Sequence, residues 1–256
     1  MEFQERIRQK KGKDKIVMLT AYDYQMARIL DETSVDLILV GDSLGMVFQG
    51  AEDTKKVTME DMVYHTKAVA RGVQNTPVIG DMPIHSYDTV ETAQENAKRF
   101  LEAGANGVKI EGNRLEIVKT LLDSDIPVMG HVGLLPQTAE SYKVRGKSVQ
   151  EAEQIFQDAL DVDRIGVFSI VLECIPESLA LRITENVKAP TIGIGAGKAC
   201  DGQVLVINDM LGFYEGFSPK YLKRYANLRD TVKNAVIRFS EEVRAGEYPD
   251  EKHTYH

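Results

Sequence analysis

Short apolar runs alternate along this chain with longer segments in which apolar and polar positions follow a helical period. The short runs are nearly continuous in Val, Ile and Leu, a pattern typical of strands buried on both faces of a parallel sheet. We therefore predict eight strands, over residues 16–20, 37–41, 78–81, 107–110, 128–131, 168–173, 191–194 and 204–207.

The segments between these strands have the apolar spacing of amphipathic helices. They cover residues 23–30, 58–70, 88–101, 115–122, 149–160, 176–187 and 221–243. Thr58 with Asp61 three residues later resembles a capping box at the start of one of them. Regular βα alternation in a chain of 256 residues favours an α/β fold, a (β/α)8 TIM barrel, as a single domain over residues 1–256. A surface helix in the first thirteen residues and a C-terminal helical segment would complete it.

Composition and charge narrow the class of protein. A net charge of −8 argues against nucleic acid or an anionic membrane as the main partner. Cys174 and Cys200 form no C-x-x-C pair and suggest no disulfide framework. The sequence contains neither a secretory signal pattern nor an apolar run long enough to span a bilayer. We therefore expect a cytoplasmic protein that acts on small-molecule substrates.

An acidic residue stands at the end of each of four predicted strands. Asp42 and Asp81 end the second and third, Glu111 follows the fourth, and Glu173 ends the sixth. The carboxyl ends of the strands of a parallel barrel converge on the face where ligands bind. Carboxylates gathered there would repel one another unless a cation or protons compensated them. The pattern therefore predicts a divalent-metal site with a further base beside it.

Oxygen ligands on neighbouring strands suit Mg²⁺, which commonly takes one or two carboxylates. On this reading Asp42 and Asp81 bind the ion, and Glu111 binds it directly or through water. Lys109 points to the same side of its strand as Glu111, where it would neutralise a substrate carboxylate or, alternatively, form a Schiff base. Glu173, across the barrel mouth, is placed to remove an α-proton.

Two further features stay open at this stage. His131 ends the fifth strand and is as compatible with a structural role as with ligand contact. The glycine-rich turn at residues 192–197 lacks the complete dinucleotide-binding spacing. It indicates only that the backbone there passes close to a ligand or to another loop.

Several segments, in order along nearly the whole chain, resemble the ketopantoate hydroxymethyltransferase (3-methyl-2-oxobutanoate hydroxymethyltransferase) family. Each segment is modest evidence by itself, whereas the ordered set is specific for this family. They are residues 19–23 (LTAYD), 40–46 (VGDSLGM), 80–83 (GDMP), 107–112 (GVKIEG), 131–134 (HVGL), 172–176 (LECIP), 193–197 (GIGAG), 200–206 (CDGQVLV) and 220–228.

The resemblance implies a Mg²⁺-dependent barrel that transfers a hydroxymethyl group from 5,10-methylenetetrahydrofolate to 3-methyl-2-oxobutanoate. The products would be 2-dehydropantoate and tetrahydrofolate, in the first step of pantothenate biosynthesis, through a Mg²⁺-stabilised enolate. The family's motifs place the metal at Asp42, Asp81 and Glu111 and the proton acceptor at Glu173. Its oxoacid-binding positions are Asp42, Ser43, Asp81 and Lys109. The family typically assembles as a homo-oligomer, a decamer.

Two other interpretations remain. The first is a folate-independent, metal-dependent aldolase or lyase that acts on another 2-oxoacid. The second is a non-catalytic binding protein on the same barrel, which the intact set of acidic residues and Lys109 disfavours. A test of folate dependence separates the two enzyme readings.

Overall fold

A computed structural model of the chain describes residues 2–214 and 218–256. Contacts divide the chain into two compact units, the first ending at Val206 and the second running from Ile207 to His256. Within the described part of the first unit, eight parallel strands form a closed barrel in sequence order, which confirms the predicted TIM barrel. The strands are β1 (Ile16–Thr20), β2 (Leu37–Val40), β3 (Val78–Asp81), β4 (Gly107–Glu111), β5 (Val128–Gly133), β6 (Ser169–Glu173), β7 (Thr191–Ile194) and β8 (Gly202–Leu205).

A helix follows each of strands β1 to β6, as the helical periodicity predicts, whereas β7 leads directly to β8 in the described chain. Several begin at a side chain that accepts a hydrogen bond from the first turn: Asp23 accepts from Met26 N, and Ser148 from Glu151 N. The capping box predicted at Thr58 and Asp61 is present. The helices of this unit are α1 (Phe3–Gln9), α2 (Tyr24–Asp31), α3 (Leu44–Val47), α4 (Met59–Gly72), α5 (Val90–Glu102), α6 (Leu115–Asp123), α7 (Val149–Arg164) and α8 (Glu177–Asn186).

The N-terminal helix contributes to the core of the barrel, whereas its polar sequence predicts a helix that lies only on the surface. Ile7 of α1 is fully buried and belongs to the cluster that fills the barrel interior, and the ring of Phe3 lies edge-on to that of Phe168 at 5.3 Å. Arg8 donates to the carbonyl of Gly166 just before β6. Helix α1 therefore packs on the N-terminal ends of the strands, opposite the end that carries the acidic residues.

The last strand begins two residues earlier than predicted. Gly202 pairs with Ile16 on one side and Ile192 on the other, and β8 ends at Leu205 rather than at residue 207. A Cβ atom on Gly202 would lie 2.5 Å from the carbonyl oxygen of Ile16, so this close approach requires glycine. The apolar pattern alone does not reveal such a strand start, because glycine carries no hydropathy signal.

The second unit is helical. It contains α9 (Ile207–Met210), α10 (Leu228–Ala245) and a 3₁₀ turn over Glu251–His253. The predicted C-terminal helical segment is thus present, but its long helix begins at Leu228 rather than at residue 221, after Asn227 caps it by accepting from Asp230 N. Among the described residues, every helix is too short or too polar to cross a membrane. One domain over residues 1–256 stays a prediction.

Candidate functional site

The acidic residues predicted at the strand ends lie together at the C-terminal end of the barrel. Asp81 is the last residue of β3, and Asp42 lies two residues beyond β2, the neighbouring strand. The backbone N–H of Asp42 donates to Oδ2 of Asp81 over 3.3 Å. Both side chains are buried, with 5% and 2% of their surface exposed. Two adjacent carboxylates are therefore held in one buried space.

Lys109 and Glu111, both on β4, extend this cluster. The Lys109 ammonium donates to Oδ1 of Asp81 at 2.5 Å and lies 3.9 Å from Oε1 of Glu111. Among the described residues it is the one buried Lys or Arg side chain. The cluster of Asp42, Asp81, Lys109 and Glu111, here called the acid cluster, thus places three carboxylates around one ammonium.

Burial and charge together displace the pKa values of these groups. Burial raises the pKa of Asp42 well above its ordinary value, the charge of Asp81 adds to the rise, and Lys109 opposes it. Burial likewise raises the pKa of Asp81, against the pull of the Lys109 ammonium. For Lys109, burial acts to lower the pKa, but the surrounding carboxylates outweigh it and hold the pKa above its usual range. An additional cation would relieve the repulsion between the aspartates.

His131 connects the acid cluster to Glu173. It lies on β5, fully buried, with Nδ1 3.5 Å from Oε1 of Glu111 and Nε2 3.3 Å from Oε2 of Glu173. Burial and the Lys109 charge act to lower its pKa, but contact with the two carboxylates prevails and raises the pKa to about 9. A cationic imidazole between two carboxylates is thus the expected state near neutral pH. The structure thus places His131 within the site, in contact with Glu111 and Glu173.

Glu173 has a different environment from the acid cluster. Its side chain is 16% exposed, against 3% for Glu111, so it is within reach of a molecule at the barrel mouth. The chain turns sharply after it: Cys174 has φ +48° and donates its N–H to Ile194 O over 2.8 Å. A Cβ atom on Gly133 would lie 2.4 Å from the Glu173 carbonyl oxygen. Close packing of strands β5 and β6 therefore fixes where this carboxylate emerges.

Ser43 follows Asp42 and is half-buried. Its hydroxyl is 2.8 Å from the hydroxyl of Tyr22, whose ring is buried beneath it. His65 Nδ1 is 2.6 Å from the carbonyl oxygen of Tyr22 and so braces that residue from α4. All six predicted site residues thus lie at the same end of the barrel. Gln137 donates to Asp42 and accepts from the hydroxyl of Tyr87. Sequence reasoning missed these two residues and Tyr22 as supports of the site, because loop positions carry no periodic signal.

The glycine-rich turn after β7 approaches other parts of the same chain. A Cβ atom on Gly197 would lie 2.6 Å from Cγ of Glu177, and Gln203 Nε2 donates to the Gly197 carbonyl. Of the two explanations left open by the sequence, close approach to another segment accounts for glycine at this position.

The donor set fits a hard divalent cation. The described residues contain no group of three or more His, Cys, Asp or Glu side chains arranged as a complete metal cage. Mg²⁺ does not require one, because it is commonly held by one or two carboxylates and completes its shell with water and substrate oxygens. Asp42 and Asp81, buried side by side, are two carboxylates of the kind that such a site requires.

Comparison with known proteins points to one family. The family model described as ketopantoate hydroxymethyltransferase matches residues 2–251. A 3-methyl-2-oxobutanoate hydroxymethyltransferase of Syntrophus aciditrophicus is 54% identical over 96% of this chain and 93% of its own. The protein of the same name from Syntrophomonas wolfei is 51% identical, over 96% and 92%. A crystal structure of phosphonopyruvate hydrolase in complex with oxalate and Mg²⁺ shares the fold, with a TM-score of 0.64 at 13% identity, over 99% of this chain and 93% of its own.

Proposed function

This chain belongs to the ketopantoate hydroxymethyltransferase family, and we propose that it joins 3-methyl-2-oxobutanoate to the one-carbon unit of 5,10-methylenetetrahydrofolate. One water is consumed, and the products are 2-dehydropantoate and tetrahydrofolate. The enzyme is a hydroxymethyltransferase.

The observation that carries the proposal is the buried acid cluster with Glu173 beside it. Three carboxylates and a lysine lie at the C-terminal end of the barrel, and His131 contacts both Glu111 and Glu173. A 2-oxoacid carries a carboxylate and a ketone oxygen on adjacent carbons, which suits a site with a cation and an ammonium. Its C3 proton must be removed before a carbon–carbon bond can form.

Asp42 and Asp81 would hold Mg²⁺, with Glu111 bound directly or through water. When bound, the ion would act as a Lewis acid towards the oxoacid's oxygens and favour negative charge there. Burial is the main cause of the raised pKa values of both aspartates, and a bound cation would favour their charged forms. Asp81 ends β3, and Asp42 lies two residues beyond the neighbouring strand β2. The backbone N–H of Asp42 donates to Asp81, so the two ligand positions are tied to each other at the end of the barrel.

The other residues bind substrate and move the proton. Lys109 and Ser43 would bind the oxoacid, with Ser43 oriented by the Tyr22 hydroxyl at 2.8 Å. Glu173 would take the C3 proton, and C3 would then attack the methylene carbon supplied by the folate. His131, 3.3 Å from Glu173, would hold that carboxylate towards the substrate. The one-carbon unit already has the oxidation level of formaldehyde, so no redox cofactor is needed.

Proton NMR in D₂O tests the proposal. The purified protein is mixed with 3-methyl-2-oxobutanoate and Mg²⁺, with and without 5,10-methylenetetrahydrofolate. We expect loss of the C3 proton signal, and 2-dehydropantoate only when the folate is present. Exchange without folate-dependent transfer would instead support a folate-independent aldolase or lyase. Absence of exchange with metal bound would contradict the proposed oxoacid.

Replacing Asp42 with Asn should stabilise the metal-free protein while removing its response to Mg²⁺. Because folding raises the pKa of Asp42, the folded protein binds the Asp42 proton more tightly than the unfolded chain does. The wild type therefore loses stability as pH rises above about 4, the ordinary pKa of an Asp. Near about pH 8 the variant should be more stable by about 1–2 kcal/mol, a usual gain for a stabilising substitution.

Urea denaturation at several pH values, with and without Mg²⁺, measures both effects. The advantage of Asp42→Asn should shrink towards about pH 4, where the wild-type carboxyl is protonated as well. Asp123→Asn, at an exposed surface pair with Lys119, is the matched control and should follow the wild type. Equal stabilisation of wild type and Asp42→Asn by Mg²⁺ would remove Asp42 from the ligand set.

The assembly and compartment are also proposals. On α10, Val232, Val236, Phe239 and Val243 recur at helical spacing, and no residue of this helix is buried. Such an apolar face supports a homo-oligomer, a decamer by family resemblance, which light scattering on the purified protein would measure. Cys174 and Cys200 are both free thiols, which is compatible with the cytoplasm as the compartment.

A further inference from the structure

Gln137 lies in the loop after β5, with only 1% of its surface exposed. Its side-chain Nε2 donates to Oδ2 of Asp42 over 3.0 Å and to the carbonyl oxygen of Met82 over 2.9 Å. Its backbone N–H donates to Oε2 of Glu111 over 3.2 Å. One loop residue therefore contacts two carboxylates of the acid cluster, on either side of β3.

The surrounding groups settle which way the Gln137 amide points. A backbone carbonyl only accepts hydrogen bonds, so the nitrogen must face Met82, and the same atom faces Asp42. The amide oxygen then accepts from the hydroxyl of Tyr87, which is itself buried. Both amide protons and the amide oxygen are thus used. A chain of hydrogen bonds runs from Tyr87 through Gln137 to Asp42.

A neutral amide has a specific advantage here. It donates to one oxygen of Asp42 without adding charge, and so leaves the other oxygen available to a cation. A carboxylate at position 137 would add a fourth negative group to a buried space that already holds three, with strong repulsion. An apolar side chain would leave the Met82 carbonyl and the Tyr87 hydroxyl buried without this partner.

We propose that Gln137, held by Tyr87, is a positioning residue that orients the carboxylates of Asp42 and Glu111 for the divalent cation. In this role Gln137 is not itself a ligand of the cation. Its side-chain amide fixes one oxygen of Asp42, and its backbone N–H fixes one oxygen of Glu111. This inference rests on the proposed metal site. Partners of this kind commonly change metal affinity by about 10–100-fold when they are removed.

Binding of Mn²⁺ tests the inference without relying on turnover. Free Mn²⁺ is measured by its electron paramagnetic resonance signal, with Mg²⁺ as competitor, with and without 3-methyl-2-oxobutanoate. Gln137→Met, similar in volume, should weaken Mn²⁺ binding about 10–100-fold. Tyr87→Phe keeps the amide but removes the hydroxyl that orients it, and should weaken binding roughly 2–10-fold, the effect of one hydrogen bond.

Controls separate positioning from a general loss of structure. Gln154→Met removes an exposed hydrogen bond on α7 to Asp158 and should leave Mn²⁺ affinity unchanged. In the exchange assay, Gln137→Met should need more Mg²⁺ for half-maximal rate but recover at saturating Mg²⁺. Circular dichroism melting confirms that each variant is folded, and Tyr87→Phe carries the test if Gln137→Met does not fold.

Two results would overturn the inference, and they differ in what they say of the metal site. Folded Gln137→Met and Tyr87→Phe proteins that bind Mn²⁺ as the wild type does, with a lower melting temperature alone, would assign Gln137 a purely structural role. A wild-type protein that binds no Mn²⁺ with or without the oxoacid would reject the proposed metal site, and this inference with it.

Discussion

Replacing Glu173 with Gln is expected to slow removal of the C3 proton by about 10²–10⁴-fold, the usual contribution of a positioned general base. Gln has the same size and keeps one oxygen, so the packing around the end of β6 should persist. Among the acidic residues described at the site, Glu173 has the most exposed side chain, 16% against 3% for Glu111. The side-chain amide of the substituted glutamine cannot accept the proton.

The measurement is the rate of C3 deuterium exchange followed by proton NMR, with Mn²⁺ binding determined on the same preparation. We expect Glu173→Gln to bind the metal like the wild type and to lose exchange, which separates the base from the ligand set. Glu185→Gln, an exposed position on α8, serves as the control. Exchange at the wild-type rate in Glu173→Gln would remove this residue from the mechanism.

The strands were predictable because each is buried on both faces and therefore reads as an unbroken apolar run. Strands β1, β3 and β7 begin and end where the sequence indicates. The errors occur where tertiary contacts override the local pattern. Gly202 starts β8 because it packs on Ile16, and Ile7 is drawn into the barrel interior although the surrounding helix is polar.

The strand-end position of the acidic residues was equally visible, since strand topology alone brings Asp42 and Asp81 together. The contacts that hold these side chains in place could not be predicted from the sequence. Gln137 reaches Asp42 across 95 positions of sequence, and Tyr22 reaches Ser43 from the loop after β1. Such partners depend on loop geometry, which apolar periodicity does not encode. Composition likewise does not reveal that His131 lies between two carboxylates.

The acid cluster also illustrates how a functional site opposes stability. The fold removes three carboxylates from water and places them near one another. The raised pKa values of Asp42 and Asp81 reflect that cost, in which burial is the largest contribution. Lys109 offsets it within the protein, and a bound divalent cation would offset it further. The balance of charge within the cluster is therefore the property most sensitive to substitution.

Replacing Lys109 with Met is expected to destabilise the metal-free protein by about 3–5 kcal/mol near neutral pH, the range for breaking a buried ion pair on one side. The ammonium lies 2.5 Å from Asp81 and is the one buried Lys or Arg in residues 2–214 and 218–256. Without it, the three carboxylates of the cluster lose their ammonium partner. Because a carboxyl group that takes up a proton loses its charge, the loss should diminish as pH falls towards about 4.

Urea denaturation with and without Mg²⁺ measures this prediction. Since a divalent cation supplies the missing positive charge, Mg²⁺ should restore more stability to Lys109→Met than it adds to the wild type, while the KM for the oxoacid stays raised. Lys119→Met is the matched control. Its ion pair with Asp123 spans 2.6 Å on the exposed face of α6, and such surface pairs contribute about 0–1 kcal/mol. If Lys109→Met lost no more unfolding free energy than Lys119→Met at neutral pH, the carboxylates of the acid cluster would have to be largely protonated. A Mg²⁺ site there would then be untenable.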